Sequence, residues 1–242
     1  MSNPLPIVAA LAAGAALLAP PAQAGVPAAP PAPRATSAAT SAATSAPTPL
    51  DRYLAHLKTL RVSFLQTIAD AHGAEVGRSS GTLIVERPGK FRWDIHPDRR
   101  AAQGSPPEGG QLMIADGRNL WYYDRDLEQV TVRPLDAALS ATPAMLLSGT
   151  VDVRKHFTES LAGKRDGLDW VYVEPRSAAA DFRSALFGFD ARGTLQRMIL
   201  EDKLGQTVTI LFKHVELNAP VPANTFTFTP PPGADVIGTP AR

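Results

Sequence analysis

Leu50, Leu54, Leu57 and Leu60 recur at spacings of four, three and three, with Asp51, Arg52 and Lys58 between them. That is the stripe of an amphipathic helix of about three turns, which requires a surface to lie on. From Val62 onward the apolar period falls to two. Val62, Phe64 and Gln66 share a face, and after a Gly-rich break from Gly73 to Gly81 come Leu83 and Val85, then Phe91, Trp93 and Ile95. A Pro/Gly loop runs from Arg99 to Gly110, after which Leu112 and Ile114 lead into an Asp116-Gly117 turn. Leu120 and Tyr122 then alternate with Trp121 and Tyr123, and Val130 is spaced two from Val132. Strand, tight turn and strand follow one another without a long helix between them, so an antiparallel sheet is expected.

Leu135 to Leu139 and Thr142 to Leu147 interrupt this rhythm. Thr142 suits an N-cap, Pro143 the first helical position and Gly149 the C-terminal stop, which predicts one or two short helices between strands. Strand patterns resume at Leu168 to Glu174, Phe182 to Asp190, Leu195 to Asp202, Thr207 to Phe212 and Thr225 to Thr229. The total is about ten to eleven strands, a number that favours a strongly curled sheet or barrel over an open flat one.

The first 49 residues read differently. Ile7 to Leu18 is apolar and is followed by Pro20-Pro21 and Ala22-Gln23-Ala24, a small-x-small pattern. Residues 1–24 are therefore expected to be a cleavable signal peptide, although the segment before Ile7 holds no Lys or Arg. Residues 25–49 are almost wholly Ala, Pro, Ser and Thr, with three tandem Ala-Thr-Ser-Ala copies from Ala35, and are expected to be a disordered linker. The folded domain is assigned to 50–242.

Composition narrows the function classes. With 44% apolar residues, the 242-residue chain has enough for one domain with a core. A formal net charge of +1 with interspersed signs lacks the footprint that nucleic acid requires, so no nucleic-acid partner is expected. The absence of cysteine excludes disulfides, thiolate metal sites, a Cys nucleophile and an acylated Cys on this chain. His56, His72, His96, His156 and His214 show no metal-ligand spacing, and neither a metal site nor a cofactor is expected. Asp124, Asp126 and Glu128 alternate without the glycine of a calcium loop and read as a solvated turn. Gly77-Arg78-Ser79-Ser80-Gly81 matches G-x-S-x-G, but a nucleophile elbow needs a strand before it and a helix after it. It is read as a hairpin turn, and the chain as a non-enzyme; a secreted esterase using Ser79 is the competing class.

Three segments carry the chemistry. Val85-Glu86-Arg87-Pro88-Gly89-Lys90-Phe91-Arg92-Trp93-Asp94 is answered by Asp116-Gly117-Arg118-Asn119-Leu120-Trp121-Tyr122-Tyr123-Asp124, which sets aromatics on alternate positions around turns. Ala144-Met145-Leu146-Leu147 has no polar residue to turn toward water, so it either plugs the core or covers an apolar cavity in which Met and Leu repack around flexible ligands. Arg87, just before Pro88, is by itself either a solvated strand-end charge or a functional donor. The aromatics Phe64, Phe91, Trp93, Trp121, Tyr123, Trp170, Phe187 and Phe189 are core residues unless a cavity exists.

Together with the secretion-type N-terminus and the Thr142-Pro143 start of the apolar segment, these runs resemble the outer-membrane lipoprotein carrier family of Gram-negative bacteria, LolA, over roughly Leu50 to Ile237. Gln206 and the run Phe226 to Val236, read as a last edge strand and a Pro-terminated stop, also match the family pattern. The resemblance implies a mainly β fold, an incomplete, half-open antiparallel barrel of about 11 strands with a helical lid. It makes Arg87 the latch whose guanidinium bonds lid carbonyls, and Phe64, Leu83, Val85, Phe91, Trp93, Ile95, Met145, Leu146 and Leu147 the cavity or lid residues. It further implies a monomeric periplasmic carrier whose partners are acylated lipoproteins, an inner-membrane lipoprotein-releasing ABC transporter and an outer-membrane lipoprotein receptor. A periplasmic lipid-binding sensor or signalling protein on the same fold is the alternative.

Overall fold

The computed structural model describes residues 46–98, 109–135, 143–149, 153–178, 180 and 182–241. The expected signal peptide, the linker up to Ser45, most of the 99–110 loop and the 136–142 segment with its Thr142 cap lie outside the described residues.

Helix α1 spans Pro49–His56 and is set by a capping box. The Thr48 hydroxyl accepts from the Asp51 N–H at 3.0 Å, and the Thr48 N–H donates to Asp51 Oδ2 at 3.0 Å. Thr48 and Pro49, which composition placed in the linker, therefore belong to the folded domain. The helix is shorter than the leucine spacing predicts, because Leu57 is already extended and Leu60 lies in a strand. Asn218 stops it: its side chain donates to the His56 carbonyl at 3.1 Å and accepts from the Lys58 N–H at 2.8 Å.

Among the described residues, twelve strands follow in one sheet. β1 is Thr59–Ala69, β2 Glu75–Glu86, β3 Lys90–Pro97, β4 Gln111–Asp116, β5 Asn119–Asp124 and β6 Gln129–Pro134. After α2 (Pro143–Ser148) and α3 (Val153–His156) come β7 Phe157–Arg165, β8 Leu168–Pro175, β9 Phe182–Phe189, β10 Leu195–Asp202, β11 Thr207–Leu217 and β12 Asp235–Ile237. The order is β12-β6-β5-β4-β3-β2-β1-β11-β10-β9-β8-β7, so the sheet is open, with β12 and β7 at its edges. Every pair is antiparallel except β12 with β6, which is parallel.

Aspartates organise the hairpins. Asp70, Asp116, Asp124, Asp190 and Asp202 each accept backbone N–H groups two to four residues on, at 2.7–3.1 Å. The Asp124 to Glu128 segment is accordingly the β5–β6 turn.

One apolar cluster joins the concave face from Leu120 on β5 to Val173 on β8. In a flat sheet those two strands would stand about 38 Å apart, so a shared core requires the sheet to curl. The convex face of β2 to β5 has its own cover. After β11 the chain crosses it, seating Phe226 and Phe228 among Ile84, Leu112, Ile114, Trp121 and Tyr123. The expected strand Thr225 to Thr229 is thus a strap with no ladder of its own. Its alternation comes from two rings reaching down to one surface, and the true edge strand, β12, lies beyond the proline run.

Candidate functional site

The β2–β3 turn and the C-terminus of α2 meet over the concave face. Burial alternates along β1, β2 and β3, which turns Phe64, Leu83, Val85, Phe91, Trp93 and Ile95 inward, all at most 5% exposed. Met145, Leu146 and Leu147 of α2 join the same cluster at 1% exposure or less. The structure thus brings all nine apolar candidates together, with α2 seated against β2 and β3.

Three backbone features fix the end of α2. Gly149 adopts φ +71° and terminates the helix, as its position in the sequence predicts. Its missing side chain then admits the guanidinium of Arg87, because a Cβ there would lie 2.7–2.8 Å from Arg87 Nη2, Cζ and Nε. Arg87 Nη1 donates to the Leu147 carbonyl at 3.3 Å, and the Gly89 N–H donates to the Ser148 carbonyl at 2.8 Å. Two carbonyls that a helix end leaves unpaired are therefore met from the β2–β3 turn. The Ser148 hydroxyl, fully buried, donates to the Met145 carbonyl at 3.0 Å.

The turn is itself anchored. The Arg87 N–H donates to the Lys58 carbonyl at 2.8 Å, and Lys90 pairs with Glu86 at 2.8 Å across its base. Desolvation by half-burial draws the Arg87 guanidinium below its ordinary pKa, but arginine stays protonated in proteins. Gly89 and Gly149 were missed as site residues. Gly149 reads as a helix stop, and nothing local in the sequence shows that a guanidinium rests on it.

A second tie holds α1 to the far edge of the sheet. The Thr48 hydroxyl donates to Glu159 Oε2 on β7 at 2.7 Å, and Arg154 of α3 pairs with Asp51 at 3.0 Å. Burial raises the Glu159 pKa and the nearby Asp51 charge adds to the effect, while Glu159 Oε1 is buried without a partner. At Asp51 burial acts in the same direction, but the hydrogen bonds from Arg154 and Thr48 outweigh it and the pKa is lowered. Beside this tie, Tyr53, His56, Arg52, Arg192 and Asn218 line a surface pocket of about 470 Å³.

The remaining aromatics divide by face. Phe187 and Phe189 belong to the concave core, whereas Trp121 and Tyr123 lie under the strap. Trp170 faces outward too, donating to the Arg165 carbonyl at 3.0 Å beneath the Arg165 guanidinium.

Gly77 to Gly81 is no hairpin turn. It lies within β2, paired with both β1 and β3, and a Cβ on Gly81 would overlap the Asp94 carbonyl. The turn expected there falls earlier, at Asp70 to Ala74. Ser79 is buried in an extended strand, which is not the sharp strand-to-helix turn that exposes a nucleophile. On the convex face His96 opposes Ser80 and pairs with Asp94 at 3.1 Å. No hydrogen bond joins Ser80 to that ring, and Asp94 is shared with Arg125 at 2.9 Å. No cluster of three or more metal-ligating side chains exists among the described residues.

The architecture defines a class: an open, curled β-sheet whose apolar concave face is covered by short helices. Residues 55–229 match the family described as outer membrane lipoprotein carrier protein LolA. Proteins named outer-membrane lipoprotein carrier protein are similar along most of their length. The one from Dechloromonas aromatica is 40% identical over 189 residues, covering 78% of this chain and 86% of the relative. The one from Nitrosospira multiformis is 39% identical over 188 residues, covering 78% and 86%. Among solved structures, a LolA superfamily protein from Nitrosomonas europaea is 14% identical with a TM-score of 0.42, covering 74% of this chain and 96% of that one. The chain belongs to the LolA family of outer membrane lipoprotein carriers.

Proposed function

We propose that the protein is a non-enzymatic periplasmic carrier. It accepts acylated lipoproteins from an inner-membrane ABC transporter, holds their acyl chains on the concave face and delivers them to an outer-membrane receptor. The observation that carries the reading is the seat of α2: a helix with Ala144, Met145, Leu146 and Leu147 all buried lies on an apolar sheet, tied by Arg87 and Gly89. In this reading α2 stands where cargo goes.

The energies suit a carrier that must also release. Shielding one chain of about fifteen methylenes, at about 0.8 kcal/mol each, is worth roughly 12 kcal/mol. Cargo must displace Met145, Leu146 and Leu147, and re-exposing three such side chains costs about 5–9 kcal/mol. The difference leaves about 3–7 kcal/mol per chain, which lets a receptor with a preformed apolar site take the cargo.

Titration with a synthetic lipopeptide tests this. Trp93 lies in the concave core while Trp121 and Trp170 lie outside it, so binding is read by the change in Trp93 emission against a Trp93→Phe control. An acylated peptide should saturate the signal, and the same peptide without acyl chains should not. Equal responses to both would remove the acyl-carrier reading.

A further inference from the structure

Buried polar groups in a folded chain nearly always find partners, so those that do not point to something missing. Tyr53 Oη, Trp93 Nε1 and Tyr122 Oη are buried without a partner, and all three side chains pack in the concave core. Two of them share one row. The ladders pair Leu83 with Trp93, Trp93 with Met113, and Met113 with Tyr122. Trp93 and Tyr122 therefore lie two strands apart, about 9.6 Å, on the same face. Trp93 is 4% exposed, with its ring held edge-on to Phe64 at a centroid distance of 6.0 Å. Burial, with a smaller contribution from the Asp124 charge, pushes the Tyr122 phenol up, so it remains a donor.

We propose that the Trp93 indole N–H and the Tyr122 hydroxyl form a subsite for the acyl linkage of the cargo, donating hydrogen bonds to the carbonyl oxygens from which its hydrocarbon chains extend. The inference rests on the carrier reading and adds what the cavity recognises besides hydrocarbon. An acyl chain begins at a carbonyl, and drawing the chain into an apolar site brings that acceptor with it. Left unpaired there, it opposes binding. The indole can only donate, and the phenol has no other acceptor, which suits a group that can only accept. The place fits as well, because α2 packs on β2 and β3, so cargo replacing Met145 to Leu147 arrives beside Trp93. In the closed protein both donors wait unpaired, which weakens the empty state relative to the loaded one.

The test uses the purified mature chain and two lipopeptides that differ only in linkage. One carries two ester-linked acyl chains on a glyceryl group, and the other carries ether-linked alkyl chains of equal length, which lack the carbonyls. The wild type should bind the ester probe about tenfold more tightly. The double variant Trp93→Phe, Tyr122→Phe should lose this preference and bind the ester and ether probes with equal affinity. Equal wild-type affinities for the two probes, or a preference that survives in the double variant, would overturn the subsite and leave the carrier reading standing. Failure of the wild type to bind either probe would overturn both. The empty Tyr122→Phe variant, which removes only the hydroxyl, should melt at the wild-type temperature or above it; a fall would mean that this donor makes a structural bond, and would also overturn the proposal.

Discussion

Replacing Arg87 with leucine removes the side chain that ties the end of α2 while leaving the Gly89 bond to the Ser148 carbonyl in place. The lost contact is one hydrogen bond of 3.3 Å from a charged donor to the Leu147 carbonyl, together with the packing of the guanidinium on Gly149. A charged hydrogen bond contributes about 1.5–3 kcal/mol, and the length and half-exposure of this one place it near the lower end. Weakening the closed state by about 1–2 kcal/mol shifts the closed-to-open ratio about 5–30-fold toward open. If cargo displaces α2, as proposed, affinity for an acylated lipopeptide should rise by the same factor. Fluorescence titration gives the affinity, and a two-component assay with the outer-membrane receptor gives the transfer. We expect Arg87→Leu to hold cargo more tightly and to fail in transfer. Arg87→Lys, a point charge without the planar fork, should fall between the two. Unchanged affinity with normal transfer would refute the latch.

Other perturbations have equally definite outcomes. Gly149→Ala places a side chain at φ +71°, which costs about 1–2 kcal/mol, and drives its Cβ into the Arg87 guanidinium. It should lower the melting temperature and tighten lipopeptide binding in the same direction as Arg87→Leu. Glu159 has its pKa raised by burial, so its charged form opposes folding above its unfolded pKa, and that cost vanishes as pH falls and the group is protonated. Glu159→Gln, which keeps an acceptor for Thr48, should therefore melt higher than wild type at pH 7, and the gap should close by about pH 4; a gap independent of pH would contradict this. Phe226→Ala empties the strap's seat on the convex face, where Phe226 is 5% exposed, and should lower the unfolding free energy by about 3 kcal/mol without altering lipopeptide affinity.

What the sequence conveyed depended on how strongly each element alternates. β1 and β3 were readable because burial strictly alternates through Val62 and Phe64, and through Phe91, Trp93 and Ile95. β7 was not, since only Phe157 in it is buried and an edge strand facing water on both sides has no period to detect. β12 is three exposed residues, and its pairing with β6 depends on the path of the whole C-terminal strap. Alternation also cannot say which face is inside. Tyr122 and Trp121 are neighbours in sequence, yet one packs toward the concave core and the other under Phe228. At the site, the apolar run of α2 and its glycine stop were evident from composition. That Arg87 would lie on Gly149 depends on a contact between residues 62 positions apart, which no local pattern encodes.

Incubating the purified protein with membrane vesicles that hold an acylated lipoprotein and an energised ABC transporter distinguishes a carrier from a sensor. For a carrier, the lipoprotein leaves the membrane in a soluble one-to-one complex, which dissociates when the outer-membrane receptor is added. Lipoprotein that stays in the membrane while the transporter is active would contradict it, and would favour a lipid sensor on the same fold.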